Sequence, residues 1–346
     1  MTAKRLRWGI VSTGKIARTL ARALASSSSS ELVAVGSRSL ESAAAFAREL
    51  GVPRAHGSYE GLFADTDVDI VYIATPHPSH AHWSVLAARA KKHVLCEKPL
   101  GVTHAEVERI VVAARENDVF LMEAFMYRCA PQTRKLVELV AGGALGPVHA
   151  IQASFGFDGA FPADGRLLSN ELGGGGILDV GCYPVSIARL LAGAAVGAAF
   201  SDPVSVHGLG HVGEPSRVDE YAVAILKFPG EILATLATSV QLWQDNTVRV
   251  FGREGRLTVR EPFLPAKDGG FTEILIERPG RDPETLRVEA PESLYVYEID
   301  AVAAQIEHRE AREMSHADSL GNARALDQWR RAVGVSYAAD TEPRAS

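Results

Sequence analysis

A lysine stands between a glutamate and a proline in LCEKPLG, at residues 95–101, and a carboxylate and a phenol lie four residues apart in GGGGILDVGCYPV. If the stretch after Gly173–Gly176 is helical, Asp179 and Tyr183 are i and i+4, project from one face and can reach one ligand. The same spacing also describes a flexible loop followed by a core helix with a surface carboxylate. The four glycines permit backbone geometries closed to larger residues and let a ligand come near. A free tyrosine ionises near ~10. A neighbouring ammonium favours the phenolate and lowers that value. Lys98 and Tyr183 acting together would therefore make an acid–base pair of use near neutrality.

Such side chains need elements to aim them. From Leu6 to about Phe125, short β-branched runs alternate with Ala-rich amphipathic stretches, the pattern of βαβ units on a parallel sheet. Strands are expected at Arg7–Val11, Leu32–Gly36, Asp69–Ala74, Val94–Cys96 and Val119–Glu123, with a weaker one near Ala55. Helices are expected at Lys15–Ala25, Leu40–Leu50, His80–Ala90 and His104–Asn117. In doubly wound sheets ligands bind at the carboxyl ends of the strands. Ser12–Gly14, Ser37–Ser39, Thr75–His77 and Glu97–Pro99 all follow expected strands directly, so they should share that edge. Lys98 is thereby assigned to the rim of a site, with Pro99 stiffening its turn.

The turn Ser12, Thr13, Gly14, running into Lys15 and Ile16, is a dinucleotide fingerprint with serine in place of the first glycine. Its amides, at a helix N-terminus, suit a pyrophosphate. At the end of the second strand, Ser37, Arg38 and Ser39 stand where an NAD site usually carries an acid. An acid would repel a 2′-phosphate, whereas a guanidinium binds one through charge-assisted hydrogen bonds. NADP is therefore expected over NAD. Thr75, Pro76, His77 and His80 are candidates for the cofactor's side of the crevice, and Glu97 for neutralising the lysine or holding the cofactor's ribose or amide.

After about Ala150 the texture becomes two-residue alternation broken by Gly, Pro and Asn turns, as in VHAIQASFGF, EYAVAILKF, EILATLATSVQL and TEILIER. That pattern describes an antiparallel sheet. Helical stretches are expected near Ile177–Leu191, Tyr295–Glu313 and Ser319–Val335. The polar SSSSS at 26–30 reads as a connecting loop. The end, AADTEPRAS, has little to bury and is expected to fray. The whole divides into a doubly wound α/β domain at 1–125 and an α+β domain with a large open, mostly antiparallel sheet at 126–346.

Composition narrows the partners. The 346 residues are 47% hydrophobic, and 36 basic against 42 acidic residues give a net charge of −6, with no basic run to gather nucleic acid. Cys96, Cys129 and Cys182 are too few and too scattered for a disulfide framework or structural zinc, which fits a reducing cytoplasm. The most apolar region, Ile177–Phe200, carries Asp179 and Arg189 and reads as a buried helix and loop, so no membrane partner is expected. His77, His80 and His82 straddle a turn and a helix start and do not face one point, so no metal is assigned to them.

The fingerprint, IATPHPSHAHWSVLAARAKKHVLCEKPL, EAFMYR and GGGGILDVGCYPV together resemble the glucose–fructose oxidoreductase, inositol dehydrogenase and MocA family across nearly the whole chain. EAFMYR and the tyrosine of the last motif are most similar to the branch of dimeric dihydrodiol dehydrogenases and NADP-dependent D-xylose dehydrogenases. The resemblance implies a Rossmann domain, a second domain with an open sheet, and hydride transfer between NADP(H) and a secondary alcohol, carbonyl or hemiacetal of a sugar, polyol or cyclic diol. It gives Lys98 a catalytic role, and its D-x-x-x-[HY] pattern falls on Asp179 and Tyr183. Tyr183 would then move the proton, Lys98 would hold the oxygen, and Asp179 would orient the substrate. How Lys98 and Tyr183 divide the proton transfer is left open by sequence.

Tyr127 and Arg128 follow the last strand of the first domain, where side chains either line a cleft or pack inside. Phe155, Phe157 and Trp243 would form either an apolar wall for a sugar face or ordinary core. The strands from Tyr221 to Val259 expose one sheet face, which the family commonly uses to form dimers or larger assemblies. The rival readings are a nucleotide-sugar ketoreductase, a bilin-type reductase, or an NADP-binding regulator without turnover.

Overall fold

The computed structural model describes residues 5–159 and 165–341. Six strands, β1 (Leu6–Val11), β2 (Ser30–Gly36), β3 (Arg54–His56), β4 (Ile70–Ile73), β5 (His93–Glu97) and β6 (Leu121–Ala124), form a sheet in the order β3-β2-β1-β4-β5-β6. Every pairing in it is parallel. This is a Rossmann fold, and its strand order reverses direction between β1 and β4. The central strands are buried on both faces, as expected when helices cover a parallel sheet on each side. Helix Lys15–Ser26 buries Ala17, Leu20, Ala21 and Leu24.

Eight strands form the second sheet: β7 (Val148–Gly156), β8 (Ser205–Val212), β9 (Asp219–Phe228), β10 (Ile232–Ser239), β11 (Thr247–Gly252), β12 (Gly255–Arg260), β13 (Gly270–Glu277) and β14 (Glu284–Ala290). Their order is β14-β13-β12-β11-β7-β10-β9-β8. All pairs are antiparallel except β7 with β10. The sheet is thus mixed and mostly antiparallel. Helix Cys182–Ala195 packs on β7 and β10 and is buried over nearly its whole length. Within the run Asn170–Ala195 the most apolar stretch is buried in the fold, as a core helix is, while Glu171 and Leu172 at its start are exposed. On β9 the inward residues Ala222, Ala224 and Leu226 alternate with exposed Tyr221, Val223 and Ile225.

The chain forms two compact units. One contains the chain up to Gly101, Ala105–Cys129 and Glu292–Ser319; the other contains Val102–His104, Ala130–Pro291 and the chain from Leu320 on. Apart from Val102–His104, the chain leaves the first unit after Cys129 and returns to it at Glu292–Ser319. Helix Leu294–Gln305 buries Leu294, Val296, Ile299 and Val302 against helix Lys15–Ser26 and the turn Met126–Cys129. A single β-bridge joins Leu121 to Glu310.

Several local expectations change. The serine run is more than a connector, because Asp300 accepts hydrogen bonds from the hydroxyls of Ser27 and Ser29 at 3.2 and 2.7 Å. The edge strands β8 and β14 lack a clear period-two apolar pattern and gave no strand signal. Nor is the end of the chain idle: Asp340 pairs with the buried Arg330 at 2.9 Å and accepts from Tyr337 N–H at 2.8 Å. Residues 342–346 of the expected fraying tail lie outside the described residues.

Candidate active site

At the carboxyl edge of β1, Ser12 donates its amide to Gly36 O at 2.9 Å and adopts φ 99°. A side chain at that φ is strained, and the usual glycine would not be. Gly14 is the N-cap of helix Lys15–Ser26 with no side-chain cap and no acid in the first turn. A Cβ on Gly14 would meet only the Ser12 hydroxyl, at 3.8 Å, so the turn is open to an approaching group. Amides that lack a side-chain partner at a helix N-terminus suit a pyrophosphate.

After β2, Arg38 is exposed while Ser37 is buried. Ser39 caps helix Leu40–Leu50, its hydroxyl accepting from Ser42 N–H at 3.3 Å. Of the three, Arg38 is the charge on offer, and no acid stands before Glu41 in the helix. The residues present fit a 2′-phosphorylated dinucleotide.

The Glu-Lys-Pro turn follows β5, and side chains from three neighbouring elements hold it. Tyr72, on β4, donates its hydroxyl to Glu97 Oε1. Glu123, on β6, accepts Leu100 N–H at 2.9 Å. His80 sets Nδ1 2.8 Å from Pro99 O and Nε2 2.8 Å from Thr75 O. Carbonyls only accept, so a ring N–H is the donor wherever such a contact is a hydrogen bond. The Lys98–Pro99 peptide is cis, and Glu97 and Lys98 are half-buried between these anchors. Burial, and secondarily Glu97, pushes the Glu298 carboxyl well above its ordinary range. The protonated form of Glu298 is thereby favoured in this acidic corner.

In the second unit the segment after the glycines begins as a π-helical turn, Ile177–Gly181, and only then becomes the α-helix Cys182–Ala195. A spacing of four lies between the two repeats, so Asp179 and Tyr183 stay on one side of it. Asp179 pairs with Arg166 at 2.8 Å. Tyr183 stands edge-on to Phe155, with centroids 5.3 Å apart, and tilted against Phe263 at 5.5 Å. Phe155 also stacks on Phe263 at 4.9 Å.

The glycines ahead of this segment are pinned to the sheet. Asp219 Oδ2 accepts Ile177 N–H at 2.6 Å, Thr238 donates to Gly176 O at 3.1 Å, and Tyr337 donates to Gly174 O at 2.5 Å. Gly175 has φ +97°, and a Cβ there would lie 2.5 Å from Asp219 Oδ1, so only glycine fits. Asp219 Oδ1 is buried with no hydrogen-bond partner among the described residues. An orphan of this kind costs about 1–3 kcal/mol.

Other expected site residues lie elsewhere. Tyr127 is wholly buried, edge-on to Phe125 at 6.0 Å. Arg128 is buried in an ion pair with Asp318 at 2.6 Å, which raises its pKa against the cost of desolvation. Both side chains are buried. Trp243 is 86% exposed and forms no wall with Phe155, and Phe157 is half-buried after β7. His80 is spent on two carbonyls, and His77 is buried edge-on to it at 5.6 Å. Pro76 is exposed and Thr75 buried. Among the described residues no cluster of three or more His, Cys, Asp or Glu is arranged to hold a metal.

Arg166, Phe263, Asp219 and Tyr337 went unseen in the sequence. The VD of SRVDEYAV, a carboxylate entering an apolar strand, is the one signal that pointed to any of them.

The family model described as an oxidoreductase family with an NAD-binding Rossmann fold matches residues 6–125, and that of the GFO/IDH/MocA C-terminal domain matches residues 133–258. A trans-1,2-dihydrobenzene-1,2-diol dehydrogenase of Danio rerio is 35% identical over 97% of this chain and 99% of its own. A 3-ketoreductase from Actinomadura kijaniata, solved with NADP and TDP-benzene, superposes with a TM-score of 0.84 at 29% identity, covering 95% of this chain and 98% of its own. An aldose–aldose oxidoreductase from Caulobacter crescentus, solved with glycerol, gives a TM-score of 0.85 at 26% identity over 95% and 97% of the two chains.

The strain at Ser12 has a measurable consequence. Ser12→Gly should raise stability by about 1 kcal/mol, visible as a Tm increase of about 2 °C. An unchanged or lower Tm would mean that Ser12 is not strained.

Proposed function

We propose, since this chain belongs to the GFO/IDH/MocA family of oxidoreductases, that it transfers hydride between NADP(H) and a secondary alcohol, carbonyl or hemiacetal of a sugar, polyol or cyclic diol. The observation that carries this reading is the pairing, on one sheet edge, of an uncapped helix N-terminus with a lysine whose turn is held at three atoms. The first suits a pyrophosphate and the second suits a reacting oxygen.

The cofactor, which the Ser12–Gly14 turn and Arg38 would hold, would supply the acceptor or donor of a hydride at the carbinol carbon. As that C–H bond breaks and the C=O bond forms, the hydroxyl proton passes to Tyr183, and in reduction it returns from there. Lys98 holds the oxygen and favours the phenolate. Asp179, itself fixed by Arg166, orients a second hydroxyl. Phe155 and Phe263 hold the Tyr183 ring by its faces and edges, limiting its rotation. Arg38 selects the 2′-phosphate.

A nucleotide-linked ketosugar is the second substrate class, favoured by the likeness to a 3-ketoreductase solved with TDP-benzene. The three cysteines are buried thiols, which suits a reducing cytoplasm. Leu209, Tyr221, Val223, Ile225 and Leu233 form an exposed apolar face across β8, β9 and β10, with Leu209 opposite Val223. A patch of this kind marks an interface, and we assign it to a second copy of the chain.

Three results test these assignments. Tyr183→Phe should keep NADPH affinity and cut turnover by about 100-fold or more in a panel of sugars, polyols, cyclic diols and nucleotide-linked ketosugars; near-normal turnover removes Tyr183 from the mechanism. Wild type should prefer NADPH, and Arg38→Ala should raise the NADPH KM by about tenfold with little change for NADH. Equal use of both cofactors by wild type would sink the Arg38 argument. Finally, Ile225→Lys should turn a dimer into a monomer by light scattering, and an unchanged mass would place the interface elsewhere.

A further inference from the structure

Asp219 plays no part in the chemistry just described, yet it lies beneath the segment that carries it. Its carboxylate is fully buried at the start of β9. One oxygen takes the Ile177 amide, two residues before Asp179, and the other abuts Gly175 without a hydrogen-bond partner. Gly176 also approaches it, since a Cβ there would lie 3.2 Å from Oδ2. A side chain at Gly175 would push the loop off the carboxylate, and one at Gly176 would crowd it.

We propose that Asp219 is a positioning residue whose ionised carboxylate draws in the first amides of the Ile177–Ala195 segment and thereby fixes the aim of Asp179 and Tyr183. A charged acceptor binds an N–H more strongly than a neutral one, and negative charge is favoured at a helix N-terminus. When the carboxyl is protonated, the hold on Ile177 N–H weakens and the glycines regain freedom. Burial pushes this carboxyl up to about 7, with the amides of Ile177, Asp219 itself and Gly176 and the charge of Arg330 pulling the other way. The change of state therefore falls in the neutral range.

The ionisable groups around it come from each neighbouring element. Arg330, on the helix His316–Val333, is fully buried and shared with Asp327 and Asp340. Tyr337, from the segment after that helix, interacts with Asp219 electrostatically and holds Gly174 O. Glu220, next on β9, points to the other face and pairs with His211 at 3.9 Å. Asp179, on the segment itself, is held by Arg166.

The inference rests on the roles proposed above for Asp179 and Tyr183, so two independent readouts are needed. The first is the pH dependence of kcat and KM for wild type and Asp219→Asn, on whichever compound of the panel is turned over. Wild-type kcat should fall as pH drops through about 7. Asp219→Asn should lose that limb, run about tenfold slower at pH 8 and keep its NADPH Kd within about twofold, since a small misplacement of reacting groups costs kcat. A purely structural role would lower stability and leave the pH profile in place, and that result overturns the proposal.

The second readout needs neither a variant nor turnover. Hydrogen exchange at the Ile177 amide of the wild-type chain, corrected for intrinsic rates, should slow by about tenfold between pH 6 and pH 8 as the charge-assisted bond forms. Protection independent of pH overturns the proposal even if Asp219→Asn fails to fold. If no compound in the panel is turned over, the oxidoreductase reading falls, and the Ile177 exchange still decides whether the carboxylate holds the loop.

Discussion

Backbone groups that leave a sheet must find partners, and in this protein the partners at both chemical centres are buried side chains. Beyond β5 the strand ladder ends, and the turn that carries Lys98 has no sheet to satisfy it. His80 and Glu123 supply what the ladder no longer does, and Tyr72 fixes the Glu97 side chain at the start of the turn, each from a different neighbouring element. A lysine side chain is long and mobile. A turn fixed at three atoms leaves it only its own rotamers to vary.

The same solution recurs in the second unit. The glycines before Asp179 have freedom to lose, and Asp219, Thr238 and Tyr337 remove it from three directions. Glycine is required there for close approach to Asp219, and the approach in turn suppresses the flexibility that glycine brings. In both units a charged or polar group is buried at a cost and repaid by backbone hydrogen bonds, which is how such groups come to fix one conformation.

Charge inside the first unit is arranged with similar economy. Glu97 accepts from Tyr72, while burial and the nearness of Glu97 push Glu298 toward its neutral form. Two carboxyl groups can share a corner of low dielectric only if one gives up its charge. Across the unit, Arg128 and Asp318 form a buried ion pair. Such a pair ties the returning segment Glu292–Ser319 to the end of the Rossmann sheet, because breaking it would leave an uncompensated buried charge.

Much of this was legible in the residues themselves. Hydrophobic periodicity located all six strands of the parallel sheet and its four long helices, and the order of turns assigned Ser12–Gly14, Arg38 and Lys98 to one edge, because in a βαβ chain each strand's carboxyl end is set by direction alone. The spacing of Asp179 and Tyr183 predicted a shared side, which a repeat near four preserves whether the turn is α or π. Tertiary structure alone decided the rest: that Arg166 meets Asp179, that Phe263 meets Tyr183, that His80 serves two carbonyls, that Arg128 and Tyr127 turn inward, and that Glu292–Ser319 returns to the first unit. Local propensity and period are carried by neighbours in sequence, whereas these partners stand tens or hundreds of residues apart and are chosen by packing, which no local pattern encodes.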